Sequence, residues 1–263
     1  MEGTVLSKKE ITEYEEFKRE RREREVTFTL KRLEIDAARR ETDRYALNAA
    51  CDLVKKTGAA AIAVFPVNVS AARRRMGEGE PIVSCVAGGT GESLISVKKA
   101  EAKRAARQGA KEIRLVPCYS ALFGGNFAYL KREIRRVKRS VKKCVLVYSL
   151  DDRSLSEAEI ERGVRAACEA KADAVSVRGE IDLIMLAVRL SAGRVRVDAS
   201  GVENAEQLRL LVKAGAARGM TRFAAEIEKE LYCAAEEGGF VEGIPITETE
   251  SGDTADRGTE NEN

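Results

Sequence analysis

The chain has 263 residues, 44% of them hydrophobic, and a formal net charge of +3; this suits one large α/β domain and is too balanced to name a partner by charge. It contains no histidine, which excludes Ser-His and Cys-His nucleophile pairs, histidine acid–base work and histidine-ligated metal sites. No stretch approaches the ~18 consecutive apolar residues of a membrane span, and Met1–Glu25 is dense in charge where a secretory leader would be apolar.

In chain order, 1–26 reads as a charged helix, with Glu13, Glu16 and Glu20 interleaved with Lys18, Arg21 and Arg24. A first strand is expected within Thr27–Asp36, then a helix over Asp43–Lys56, a strand over Ala61–Phe65 and a strand over Pro81–Ala87. The loop Gly88-Gly89-Thr90-Gly91 follows, without the Lys-Ser/Thr of a P-loop or the spacing of a dinucleotide fingerprint. Helix Ser93–Gln108, strand Lys111–Pro117, helix Phe127–Lys142 and strand Cys144–Leu150 come next. Ser156 with Glu159 is a capping box opening a helix that reaches Ala170. Asp173–Val177, helix Asp182–Leu190, strand Arg194–Ala199, helix Ala205–Ala214 and a last strand near Met220 complete the alternation.

Four times an amphipathic helix ends in a small hinge that leads into an apolar run, as at Lys56-Thr57-Gly58-Ala59 and Arg107-Gln108-Gly109-Ala110. Apolar runs of this kind are strands buried on both faces, the pattern of parallel α/β units. Eight strands predict a closed (β/α)8 TIM barrel, one domain over 27–240, with functional residues at the strand C-termini. Residues 246–263 hold six acids against Arg257 and almost nothing apolar, and are expected to form a disordered acidic tail. The six cysteines form no pair with metal or redox spacing. Reduced, buried thiols in a cytoplasmic protein that uses no metal or cofactor are expected.

Val97-Lys98-Lys99-Ala100-Glu101-Ala102, the stretch Gln108-Gly109-Ala110-Lys111-Glu112-Ile113, Ala199-Ser200-Gly201 and Ala214-Gly215-Ala216-Ala217-Arg218 together resemble the deoxyribose-phosphate aldolase family. That resemblance implies a TIM-barrel class I aldolase, in which a strand-six lysine forms a Schiff base while a second lysine and an aspartate tune and relay protons. It places the Schiff-base lysine at Ser176, the companion lysine at Asp198 and the relay aspartate at Arg114. Serine and aspartate form no imine, and arginine does not give up its proton. The implied phosphate end differs too: Val202 stands where a second glycine follows Gly201, and Phe223 interrupts the last-strand loop.

Arg114, Arg178 and Asp198 are expected to converge at the barrel mouth, with Cys118, Ser176, Ser200 and Gly201 beside them. Two readings stand for this group. It is a site for a small anionic ligand, held by arginine forks, or a neutralised relic in which Arg114 or Arg178 pairs with Asp198 and fills the pocket. Cys118 is either a reactive thiol or a small buried residue. The helix carrying Lys131–Lys143 has eight cations and one anion. With Lys98, Lys99, Lys103, Arg104 and Arg107 it is expected to form a basic stripe, a solvated face touched by the acidic tail or a sister subunit. No aromatic platform interleaves with it, so nucleic acid is not the expected partner. The expected function is a deoxyribose-phosphate-aldolase-like barrel, inactive in the aldol reaction, retained for binding or assembly as a homo-oligomer. The alternative is a lyase acting on a small sugar phosphate or aldehyde with a remodelled site.

Overall fold

The computed structural model describes residues 8–77 and 82–236. Eight parallel strands close in sequence order into one barrel: β1 (Leu33–Asp36), β2 (Ala61–Val64), β3 (Ile82–Ala87), β4 (Glu112–Leu115), β5 (Val145–Leu150), β6 (Ala174–Arg178), β7 (Arg196–Ser200) and β8 (Gly219–Thr221). β8 returns to β1 with Ile35 opposite Thr221. The (β/α)8 barrel expected from the alternation is therefore the observed fold.

Helices α1 (Lys8–Leu30), α2 (Arg44–Thr57), α3 (Val69–Met76), α4 (Ile95–Arg107), α5 (Tyr119–Phe123), α6 (Phe127–Ser140), α7 (Glu157–Ala170), α8 (Ile181–Ser191), α9 (Ala205–Lys213) and α10 (Ala224–Glu236) surround it. Local chemistry sets their ends. The Asp43 side chain accepts from the Ala46 amide at 2.8 Å, Gly58 closes α2 at φ +69°, and the Ser156–Glu159 capping box opens α7. Outward strand residues such as Ile62, Val64, Val83, Ile113, Val175 and Val177 pack on the helices as one apolar cluster. Inward positions alternate with these, as the pleat requires. Ala61, Ala63, Val147 and Ala174 are buried but stand apart from that cluster, on the barrel's inner side.

Three expectations are corrected. Thr27–Leu30 is helical, and the first strand starts only at Leu33. The β-branched Val26, Thr27 and Thr29 look strand-like in sequence, yet Val26 and Leu30, four apart, bury one helical face, and the Thr29 hydroxyl donates to the Glu25 carbonyl at 2.8 Å. Helices α3 and α5 lie in segments the alternation leaves as connections. Lys98 is not part of a surface stripe: it is fully buried. The acidic tail at 246–263 and the barrel boundary at 240 lie outside the described residues. Cys51, Cys85, Cys118, Cys144 and Cys168 are buried thiols, whereas Cys233 is exposed. Among the described residues no helix is long and apolar enough to cross a membrane.

Candidate functional site

Charge fills the inside of the barrel. Alternation turns Glu34 of β1, Glu112 and Arg114 of β4, and Arg196 and Asp198 of β7 inward, and Arg218 joins them just before β8. Glu34, Glu112 and Asp198 are fully buried and Arg114 is 1% exposed. Arg114 donates from Nε to Glu34 at 2.9 Å and from Nη2 to the other oxygen of the same carboxylate. Its Nη2 is 4.0 Å from Asp198 and its Nε 3.9 Å from Glu112. Arg196 grips Asp198 with two bonds, of 2.9 and 2.7 Å, and reaches Glu112 at 3.1 Å. Arg218 donates to Glu112 at 2.5 Å and to Asp198 at 3.4 Å, and the Ser84 hydroxyl reaches Glu112 at 3.2 Å. Three carboxylates thus meet three guanidiniums in one network, closed to solvent except at Arg196, whose side chain is 31% exposed.

The balance decides ionisation. Burial pushes the Glu34 carboxyl up, but Arg114, Arg218 and Arg196 outweigh it and hold the group below its ordinary value. Burial would lower Arg114 and Arg196, yet the facing carboxylates raise both. These arginines stay charged. Nη1 of Arg114 and Nε of Arg218 are buried without a hydrogen-bond partner, so the network is neutral but not fully satisfied.

Above this plug, at the strand C-termini, the mouth is built from hydroxyls and carboxylates. Asp151, just after β5, accepts from Ser176 at 2.8 Å and from Ser200 at 2.7 Å. Asp36, at the end of β1, has its pKa raised by burial, and it accepts from the Ala38 amide at 3.0 Å. Cys118 Sγ lies 3.6 Å from Glu92, which also takes the Ser120 amide at 3.1 Å and the Ser120 hydroxyl. Arg114 and Asp198 are therefore brought together inside the barrel. Arg178 is not: its Nε lies 3.0 Å from Glu180 and its Nη1 donates to the Asp152 carbonyl at 3.3 Å.

At the implied phosphate end the chain satisfies its own amides. Val202 N–H bonds the Met220 carbonyl at 3.0 Å, Phe223 N–H bonds the Thr221 hydroxyl at 2.9 Å, and that hydroxyl donates to the Val202 carbonyl at 2.6 Å. Gly201 holds φ +70° with open space where a Cβ would stand. In the Gly88–Gly91 loop, a Cβ on Gly91 would sit 2.2 Å from the Pro117 carbonyl; its glycine serves close packing.

Behind the mouth lies a second buried pair. Lys98 Nζ is 2.6 Å from Glu133 and 2.8 Å from the Val116 carbonyl. Glu133 also receives the Cys118 amide at 3.3 Å and the Tyr148 hydroxyl at 3.4 Å. Burial raises Glu133 against the pull of Lys98. Among the described residues no group of three His, Cys, Asp or Glu is placed to hold a metal ion.

The sequence reading missed Glu34, Glu112, Arg196, Arg218 and Asp151. One signal was available: Glu112/Arg114 and Arg196/Asp198 are charges two apart in otherwise apolar strands, so both members face the barrel axis.

No family model matches the chain. It is 33% identical over 130 residues to deoxyribose-phosphate aldolase of Thermus thermophilus, a match covering 46% of this chain and 59% of that enzyme. Against the enzyme of the same name from Thermoanaerobacter sp. it is 30% identical over 183 residues, covering 64% of this chain and 81% of the relative. The chain belongs to the deoxyribose-phosphate aldolase family. Solved structures agree on the fold of this aldolase-family chain. An aldolase called QR15 superposes with a TM-score of 0.74 at 24% identity, covering 80% of this chain and 98% of its own. Deoxyribose phosphate aldolase from Aeropyrum pernix, described as tetrameric, gives 0.69 at 17% identity over 82% of this chain and 96% of that one.

Proposed function

We propose that this member of the deoxyribose-phosphate aldolase family is a pseudoenzyme for imine-based aldol chemistry, its barrel retained for binding or assembly. One observation carries the reading: none of the eight strands contains a lysine. An imine-forming lysine must reach the substrate carbonyl and shed its proton, which a desolvated site or a cationic neighbour promotes. The sole lysine that is buried among the described residues, Lys98, lies on a helix, its Nζ bonded to Glu133 and to the Val116 carbonyl. Ser176 stands where the family resemblance expects the Schiff base, tied to Asp151.

The ion-pair network supports a neutralised relic over an anion site, with partners other than those expected: Arg114 is bound by Glu34, and Asp198 by Arg196. Arg114 is committed to Glu34 and sealed from solvent, and Arg178 is engaged by Glu180. Assembly as a homo-oligomer is part of the same proposal, by analogy with the tetrameric relative, and light scattering on the purified chain would test it.

Sodium borohydride trapping with deoxyribose 5-phosphate or acetaldehyde tests the chemistry. The intact mass is expected to stay unchanged, since only an imine, formed with loss of water and reduced by hydride and a proton, leaves an adduct of the aldehyde's mass less one oxygen. A stable adduct mapped to a lysine would overturn the proposal in favour of a lyase with a relocated site.

A further inference from the structure

Helix α6 divides its cations between two neighbours. On the α7 side Lys131 pairs with Glu169 at 2.9 Å, Lys138 pairs with Asp173, and Arg135 donates to the Glu169 carbonyl at 3.1 Å. On the α4 side Arg136 and Arg139 face Lys99 and Lys103 across a groove of about 530 Å³, floored by Ile95 and Ala100. The groove continues past Arg107 and Lys111 to Lys142 and Lys143. No acidic side chain lines either part, and none of these eight cations has an ion-pair partner among the described residues. All eight are exposed.

Two facts separate this groove from an ordinary solvated face. Cations at a helix C-terminus are favoured by the dipole, which accounts for Arg107 and Arg139 but not for Lys99, near the start of α4. Lys99 and Arg136 line the same groove, and like charges there repel. The wall has also been left uncompensated on one side of α6 while its other side is matched by acids.

Chain topology supplies a counter-charge. Every barrel helix runs back from the strand C-termini, so α10 ends at Glu236 on the same end of the barrel as Arg107, Lys111, Lys142 and Lys143. The sequence beyond Glu236 carries Glu248, Glu250, Asp253, Asp256, Glu260 and Glu262 against Arg257. A domain of this size has a radius of gyration of about 17 Å and is about 45 Å across. The 27 residues after Glu236 span up to about 90 Å when extended, so the acids can cross that end of the barrel. Tethering raises their local concentration into the range of about millimolar.

We propose that the α4–α6 groove is occupied in cis by the chain's own acidic C-terminal segment, residues 242–262. The segment shields the groove from other polyanions. This holds whether or not the barrel turns over a substrate.

Zero-length carbodiimide cross-linking of the full chain tests occupancy. Amide links are expected between the 242–262 carboxylates and Lys99, Lys103, Lys111, Lys142 or Lys143. In a mixture of isotopically light and heavy chains these links should join like to like. Links only to other lysines, or of mixed isotope, overturn the proposal.

Binding of a fluorescein-labelled 20-mer of deoxythymidylate tests shielding. A full-length variant with Glu248→Gln, Glu250→Gln, Asp253→Asn, Asp256→Asn, Glu260→Gln and Glu262→Gln should bind about tenfold more tightly at low salt, a gap that narrows toward 0.15 M, where the screening length is about 8 Å. Adding Lys99→Gln, Lys103→Gln, Arg136→Gln and Arg139→Gln should abolish the gain. Equal binding by the parent and the tail variant would mean that the groove is open to nucleic acid, and the proposal fails.

Discussion

Two parts of this barrel handle positive charge in opposite ways. Inside, Arg114, Arg196 and Arg218 are matched one for one by Glu34, Glu112 and Asp198 within a few ångströms. On the outside, the α4–α6 groove lines up eight cations with no acid among the lining residues. The difference follows from solvent. A bare charge in water costs little, whereas a bare charge in the interior is intolerable unless paired. Interior charge therefore constrains stability, and exterior charge constrains what the surface can meet.

Breaking the interior balance should give the largest effect. Glu34→Gln leaves Arg114 without its bidentate partner and is expected to cost about 3–5 kcal/mol, read from urea unfolding. A loss below about 0.5 kcal/mol, the level of an ordinary surface substitution, would mean that Arg114 is not sealed from solvent.

Removing both partners sharpens the point. Glu34→Leu with Arg114→Met leaves Glu112 and Asp198 facing Arg196 and Arg218, a balanced set. This pair should recover most of the single variant's loss, because apolar replacements of a buried pair are often neutral or better. A double variant as unstable as Glu34→Gln would show that the pair contributes more than compensation.

Acid reaches the same network without mutation. The folded protein holds Glu34 below its ordinary value of 4.5, so on acidification the unfolded chain takes that proton first. The stabilisation is complete above pH 4.5 and is lost as pH falls through the lower folded value. Asp36, raised by burial, works in the opposite sense. Melting temperatures measured from pH 6 down to pH 3 should hold steady and then fall below about pH 4.5, following Glu34. A Glu34→Gln variant should show a shallower fall.

Ser176→Lys should bring no retro-aldol activity on deoxyribose 5-phosphate. The new amine would lie beside Asp198, its register partner on β7, and near Asp151, and nearby carboxylates favour the protonated, unreactive amine. Turnover above the parent's background in a coupled assay would contradict this. The smallest effect belongs to the groove: Lys103→Gln should shift unfolding free energy by less than about 0.5 kcal/mol, since no contact is lost.

Much of the barrel was legible in the sequence. Helix spacing, the Asp43 and Ser156 caps, the Gly58 hinge and the apolar strand runs are local signals, each carried within a few residues. Thr27–Leu30 misled because β-branched residues suit a strand, while the packing of Val26 and Leu30 favoured a helix. The candidate site was less legible. Arg114 and Asp198 could be placed inward by alternation, but Arg178 could not be excluded from their group, because its pairing with Glu180 depends on the path of the loop after β6.

What the sequence determined alone was the order of elements and the closed parallel barrel. These rest on periodicity and residue chemistry. Tertiary structure decided who neutralises whom. Arg114 finds Glu34 80 residues away, and Arg218 finds Glu112 at a separation of 106. Lys98 looks like one more surface cation until Glu133, 35 residues on, is folded against it. Pairing across a closed barrel is set by strand register and inward direction, and no local pattern in the chain encodes the distance between two side chains that meet on its axis.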